Sequence, residues 1–507
     1  MLLAKHIQTM GFLMKPWTLA GTTAVLALVA ANAALADVTP EEVWQNWQDF
    51  YASSGSTITT GSAERDGDTL VVTDFKASVE TDGATSDTMI AEIRLRDTGD
   101  GSVEVTMSDE ASFTSSSPAV DGGKAMGATG SVKMPGLVGI VSGTGDDMAY
   151  EFTAPSVDIA VEPSEDGVPV GKVGFLLSDT VSTYQVSGPA EAKQLDGTFE
   201  AATAAINLEV KDDTTNLVGS LNAADLSGEM TGDLTGVEEE EIADALAMGF
   251  AFESGLSYGA LNYEFDITDD TGPSRLVGGS EGGAFQVAMD AARIMLTGGG
   301  KKVAATFSGS QLPFPEVKLS YAESGFNLTM PIGKSDTPQD FSFLTKLVDL
   351  QVSEEVWGMF DPTGALPHDA ATVVIDASGK ALVKSDLMAT PEGTPPDAEL
   401  HALTLNELTA RIAGAELTGK GALTFDNTDL TTYEGVPAPT GTVDLKLVGG
   451  NTLLDKLVAM GLVAEEQAMG ARMMIAMFAN PGAGADELTS TLEFKDKHFY
   501  ANGQQLQ

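Results

Sequence analysis

From Gly55 to about Leu234, short apolar runs alternate with Asp-Gly dipeptides, and this pattern constrains the fold more than any other feature of the chain. Leu70 to Val72, Ile93 and Leu95, Val103 and Val105, Val157 to Val161, Val173 to Leu177, and Ile206 to Val210 carry the period of two expected of strands. Asp66-Gly67, Asp82-Gly83, Asp100-Gly101, Asp121-Gly122, Asp166-Gly167 and Asp196-Gly197 tolerate the positive φ of tight turns. With few helical candidates between them, these signals predict an antiparallel meander whose exposed face is rich in Thr, Ser, Asp and Glu. Cysteine is absent. That excludes disulfides, thiolate metal sites, thiol catalysis and a lipidated cysteine, so burial alone must hold the fold. At this length, 43% apolar residues suffice for a core.

Helices punctuate the strands. Thr39, Pro40 and Glu42 read as an N-cap, a first-turn proline and the glutamate of a capping box. Val43, Trp44, Trp47, Phe50 and Tyr51 then share one helical face, which predicts a helix closing one end of a sheet. A second helix is expected from the acidic run Glu238 to Glu241 through Ile242, Leu246 and Phe250. Strands resume from Leu256 to Ile267 and around Gln286 to Met289, Val303 to Phe307 and Val317 to Tyr321. Pro313, Pro315, Pro331 and Pro338 are expected to break this region into short pieces with edge character. A helical turn at Glu354, Glu355 and Trp357 ends at Asp361-Pro362, and Ala389 to Asp397, with three prolines, reads as a surface loop. Near the end, Asn451 or Thr452 caps a helix through Leu453, Leu454, Leu457 and Val458, which stops near Gly461. A second helix runs from about Ala464 to Ala479, and a hairpin pairs Thr489 to Phe494 with His498 to Ala501. Met460, Met469, Met473, Met474 and Met477 crowd this helix pair; their ordinary role is filling an irregular core, the sharper alternative a soft groove for a lipid or partner helix.

Residues 1–36 read as a cleavable signal peptide. Basic Lys5, His6 and Lys15 precede an apolar run from Leu19 to Ala33, and Ala34, Leu35 and Ala36 form a cleavage pattern before Asp37. The run, interrupted by Asn32, is shorter than the roughly 20 residues that span a bilayer. Translation from Met14 would also give a signal of conventional length. Export to the periplasm, with cleavage after Ala36 and no transmembrane segment in the remaining 471 of 507 residues, is the resulting expectation. Cleavage discards two lysines and no acid, so the net charge of −47 becomes −49. Such a chain avoids nucleic acid and anionic membrane surfaces.

Catalytic signals are sparse, and no catalytic, cofactor-binding or metal-binding residues are assigned. His368, His401 and His498 have no metal-ligand spacing, and no HExxH sequence occurs. Gly-x-Ser-x-Gly strings surround Ser257 and Ser280, but neither sits in the expected strand, turn and helix order of a nucleophile elbow. Asp97, Asp100, Asp146 and Asp147 could offer oxygen ligands to calcium, yet neither the EF-hand spacing nor a nonapeptide repeat is present, which favours plain turn chemistry. Scattered carboxylates single out no glycosidase pair, and 7% aromatic residues is low for a sugar cleft. An outer-membrane barrel shares the secretion and the strands, but the helices, the acidic strand faces and the polar terminus of Gln504, Gln505 and Gln507 favour a soluble protein.

Three stretches carry a resemblance: Thr39 to Ala52, TPEEVWQNWQDFYA; Glu355 to Gly379, EVWGMFDPTGALPHDAATVVIDASG; and Thr491 to Leu506, TLEFKDKHFYANGQQL. Together they resemble an uncharacterised alphaproteobacterial secreted family, domain of unknown function twenty-one twenty-five, over most of the mature chain. The family has no established activity, so the resemblance implies compartment and fold style and no reaction. The tail of two helices and a hairpin is more loosely similar to another family of exported envelope proteins. Asp496-Lys497 stands where that family's hairpin would often carry Asp-Gly, leaving the turn type open.

The expected fold is a β-rich α+β protein: a long, twisted, mainly antiparallel sheet folded over helices near Trp44, Ile242, Leu457 and Met473. Residues 37–235 form an N-terminal helix and β region, and residues 236–507 a β region with helices, the C-terminal helix pair and the hairpin, continuous with the first. The expected role is non-enzymatic, with an apolar sheet face that takes a lipid or other envelope component or docks an envelope protein. A structural or interaction module without ligand, and a secreted hydrolase, are the alternatives.

Overall fold

The structure is a computed structural model, described over residues 37–53, 55–81, 83–119, 123–145, 147–189, 192–211, 214–237, 241–390 and 394–506. The expected signal peptide, Asp82, Asp121-Gly122, Asp146 and Glu238 to Glu240 lie outside the described residues. Among the described residues strands dominate, the strand pairs are antiparallel and there are five helices, so the fold is β-rich α+β with a long antiparallel sheet. The chain divides into two units. One comprises the residues up to Leu234 with Leu256–Leu276; the other comprises Thr235–Gly255 with Val277–Gln507.

In the first unit, helix α1 (Pro40–Ser53) begins as the sequence predicts. Glu42 accepts a hydrogen bond from the Thr39 amide at 2.8 Å, and Thr39 Oγ1 accepts one from the Glu42 amide at 3.3 Å, completing the capping box. Its Val43 and Trp44 are buried against Leu70, Val72, Phe75, Ile93, Leu95, Val103 and Val105, while Trp47 and Tyr51 pack beside them. Phe50, expected on that face, is exposed instead. Beyond this core, Asp147–Glu165, Gly171–Ser187, Gln194–Lys211, Asn216–Asp233 and Leu261–Asp269 lie side by side. These strands are far longer than the runs visible in the sequence. Asp196-Gly197, expected to turn, lies inside one of them, with Gly197 opposite Tyr184 and Met230. Asp166-Gly167 does turn, both residues having positive φ (47° and 78°).

The second unit is a meander. Gly283–Met289, Arg293–Gly309, Val317–Pro331, Gln339–Val352, Ala371–Val383, Ala398–Ile412, Ala415–Asp426 and Ala438–Val448 pair in that order, followed by Glu487–Lys495 and His498–Ala501. The prolines do not fragment it. Pro313 and Pro315 sit in a turn, Pro331 is a strand's last residue and Pro338 precedes the next strand, so each occupies a place where no ladder amide is needed. Helix α2 (Ile242–Met248) stops two residues before Phe250, because Gly249 takes a left-handed φ of 118° and hands the chain to a strand. Helix α3 (Glu354–Phe360) ends at Asp361 as expected. Helix α4 (Gly450–Ala459) starts without a side-chain cap of its own. The carboxylate of Asp486, 34 residues downstream of Thr452, accepts from the Thr452 amide at 2.7 Å and the Asn451 amide at 3.2 Å instead. Helix α5 (Glu465–Phe478) follows, and α4 packs against Ala415–Asp426. In the terminal hairpin Asp496 and Lys497 both have positive φ (51° and 65°), the signature of a type I′ turn.

Candidate functional site

Because side chains alternate along a strand, cross-strand partners share a face. In the second unit Val287, Leu296, Leu328, Phe343, Ala377 and Leu405 are successive partners, and the row continues through Gly421, Val443, Leu492 and Ala501. A second row on the same side carries Phe285, Gly298, Phe326, Thr345, Ile375 and Leu408. Between them, pointing the other way, run Gln286, Thr297, Asn327, Leu344, Asp376 and Glu407. That opposite side is stitched by hydrogen bonds such as Ser342 Oγ to Asn327 Oδ1 (2.6 Å) and Asn406 Nδ2 to Asp376 Oδ1 (2.9 Å). The sheet is therefore apolar on one face and polar on the other.

The apolar face is not buried. Phe285 is 47% exposed, Phe326 and Phe343 are each 42% exposed, and of the ten-residue row only Ala501 is fully buried. The first unit has the same kind of face with a different fate. Val161, Val173, Leu208, Gly219 and Phe265 form one row, and Ile159, Phe175, Ile206, Leu221 and Tyr263 form the next. Toward α1 the face merges into a sealed core, where Tyr184 stacks on Tyr150 at 4.9 Å and Tyr150 donates to Asn46 Oδ1 at 2.7 Å. Away from α1, Phe175 is again exposed.

Glycines shape this face. Phe113 and Gly130, Phe152 and Gly139, Phe265 and Gly219, Phe326 and Gly298, and Phe341 and Gly379 are each direct cross-strand partners. A Cβ on any of these glycines would lie 2.4–2.9 Å from the partner's ring. The ring lies over the strand where a side chain is missing, which flattens the apolar surface. Left-handed aspartates at Asp74, Asp179, Asp225 and Asp349 (φ 47–55°) lie inside the long strands, and at Asp349 the register shifts as in a bulge.

The chemistry-bearing residues singled out from the sequence do not converge. Ser257 lies in the strand Ala251–Tyr258 and Ser280 ends the strand Gly272–Ser280, so neither string builds a strand–turn–helix elbow. Asp100 accepts from Thr98 and Ser102, Asp97 from the Gly99 amide and Asp147 from the Gly188 amide, all as turn and loop ties. Among the described residues no group of three or more His, Asp or Glu side chains could hold a metal ion. His498 Nδ1 is 2.7 Å from the Asp496 carbonyl, and His401 is 3.4 Å from Glu399. His368 stacks on Trp357 at 4.3 Å, with Nδ1 2.9 Å from Glu354 Oε2 and Nε2 3.6 Å from Asp361 Oδ2. Asp361, whose side chain is fully buried, accepts from the Leu366 amide at 2.6 Å and the Ala365 amide at 2.9 Å. Those amides, with Thr363 and His368, hold its carboxyl down at about 2. The Trp-x-x-x-Asp-Pro motif is thus a helix-ending lock. Residues 264–502 match the family DUF2125, described as an uncharacterized protein conserved in bacteria.

The DUF2125 match takes in the meander, the Trp357–Asp361 lock and the terminal turn, so the resemblance carried by Glu355 to Gly379 and by the chain's end holds. The opening helix, Thr39 to Ala52, falls outside the matched residues. No curated protein matches the chain. Among the described residues no helix is long and apolar enough to cross a membrane.

The methionines depart from their expected core role. Met469, Met473, Met474 and Met477 on α5 are all more than half exposed, with Met473 at 67%. The inner side of α5 is instead Ala468, Ala471, Ile475 and Phe478, and Phe478 meets the terminal strands through its carbonyl, which accepts from Ser490 and from Asn502 Nδ2. Small residues fill the joint, and the methionines extend the apolar surface outward. An apolar sheet face and a methionine groove were expected from the sequence without named site residues; the pairing of glycine with phenylalanine across strands shows only once the register is known.

Proposed function

We propose that this is an exported, periplasmic protein that carries or shelters a lipid or another long apolar envelope component on the apolar face of its sheet. The ten-strand row from Val287 to Ala501 is the observation that supports the reading most strongly. Burying a leucine- or phenylalanine-sized side chain is worth about 1.5–3 kcal/mol. A row in which Phe343 is exposed and eight further residues are only partly buried favours an apolar occupant from outside the fold. With strands about 4.8 Å apart, ten of them span about 43 Å. That exceeds the roughly 30 Å hydrocarbon core of a bilayer, which two opposed acyl layers fill, so the row has room for more than one extended chain. The signal-like residues 1–36 support the compartment.

The test is a dye-binding titration with an environment-sensitive naphthylamine, comparing the protein with Phe343→Glu and Leu405→Glu. Each variant plants a charge in the row, and the reading expects at least tenfold weaker dye binding with an unchanged far-ultraviolet dichroism spectrum. Equal dye binding in a folded variant would remove the apolar row from the function.

A further inference from the structure

We propose that the outer side of α5 is a thioether site for a soft monovalent cation, Cu(I) or its analogue Ag(I), built by Met473, Met474 and Met477 with Met469 beside them. Four of the chain's 20 methionines fall within residues 469–477. Residues three or four apart on a helix are surface neighbours, their Cβ atoms about 5–6 Å apart. Met477 is therefore a neighbour of both Met473 and Met474, and Met473 is also a neighbour of Met469. In chain order the four are 57%, 67%, 65% and 62% exposed, so no core claims their sulfurs. The helix is seated elsewhere, by the buried Ala468 and by Phe478, whose ring lies 6.4 Å from that of Phe499. A purely apolar surface has no need of sulfur. Helix α4 is built with Leu453, Leu454, Leu457 and Val458, whereas α5 contains no leucine or valine and carries methionine at four exposed positions.

Gly470 supplies the room. Long side chains on a helix lean back over the preceding turn, so Met473 and Met474, three and four residues on, reach over Gly470. A Cβ at Gly470 would have no atom within 4 Å, and the three rotatable bonds of each methionine let the sulfurs converge above the bare backbone. Thioethers are uncharged soft donors that select Cu(I) over magnesium, calcium or manganese. The chain has no cysteine to compete for such an ion. Arg472, the one basic residue of α5, is paired with Asp455, and the net charge of −47 draws cations toward the surface. A thioether has no proton to lose, so its hold on a metal does not weaken in mild acid as that of histidine or a carboxylate does.

The experiment titrates the whole protein with Cu(I), kept reduced by ascorbate without air, in competition with bicinchoninate, and with silver nitrate in chloride-free buffer. One ion per chain should bind, with the same affinity at pH 7.5 and pH 5.5. M473L/M474L breaks every neighbouring methionine pair on α5 while keeping the surface apolar, and should weaken binding at least tenfold. Its far-ultraviolet dichroism and its naphthylamine binding should not change, so the metal site is read separately from the apolar sheet face. M248L/M359L, which removes two exposed but solitary methionines, should bind the metal as the unmodified protein does. Failure to hold Cu(I) or Ag(I), equal affinity in M473L/M474L, or a tenfold loss of affinity between pH 7.5 and pH 5.5 overturns the proposal.

Discussion

Replacing Gly219 with alanine should destabilise the protein although alanine ordinarily favours a strand. In an unconstrained strand the change gains about 0.5–1 kcal/mol, because glycine loses more backbone freedom on folding. At Gly219 the added Cβ would lie 2.4 Å from Cδ1 and 2.7 Å from Cε1 of Phe265. Carbon atoms rest about 3.5–4.0 Å apart, so the ring must retreat by about 1 Å from a face already packed against its neighbours. Overpacking of this kind costs about 1–3 kcal/mol, which leaves a net loss of up to about 2.5 kcal/mol. Urea unfolding followed by far-ultraviolet dichroism measures it, with unchanged slope showing that the loss belongs to stability. The companion variant Phe265→Val removes the ring, and in that background Gly219→Ala should become neutral or stabilising, a coupling of at least about 1 kcal/mol. If Gly219→Ala alone stabilises the protein, or if its effect is the same with and without the Phe265 ring, the glycine and phenylalanine pairs do not shape the face.

Three further expectations follow from particular contacts. Asp361, with its carboxyl held at about 2 against the ordinary aspartate value of 3.8, contributes stability that is complete above the ordinary value and is lost as pH falls toward 2; acid titration of Trp357 emission should show this change, and Asp361→Asn should remove it. Met473→Ser and Met474→Ser should shift unfolding by no more than about 0.5 kcal/mol, since both side chains stand in water; a loss of about 2 kcal/mol or more would place them in a core. Asp486→Ala should remove the cap that Thr452 and Asn451 share and cost about 1 kcal/mol, seen as faster hydrogen exchange at the first amides of α4.

Local signals were legible where one segment determines the outcome. Thr39 and Glu42 cap α1 within four residues, Asp166-Gly167 turns on its own dihedrals, and Asp361 ends α3 where the spacing puts it. What needed partners distant in sequence was hidden. Asp486 caps α4 from beyond α5, whereas the local pattern offers only Asn451 and Thr452 as caps. Gly197 and Gly219 are strand residues because Tyr184 and Phe265 lie across from them, and a lone glycine in the sequence looks like a turn. Asp179 and Asp225 take a left-handed φ inside long strands without shifting the register, which no local signal in the sequence announces. The methionines of α5 were expected inside because periodicity says that a helix has an apolar side; it does not say whether anything covers it.

The most direct test of an apolar face that carries lipid is native mass spectrometry, with solvent extraction, of the protein isolated from its own cells without detergent. The account predicts a mass above that of the polypeptide by one or more whole acyl-chain lipids, recovered in the extract and lost from Phe343→Glu. A mass equal to the bare polypeptide, with an extract free of lipid, would contradict it.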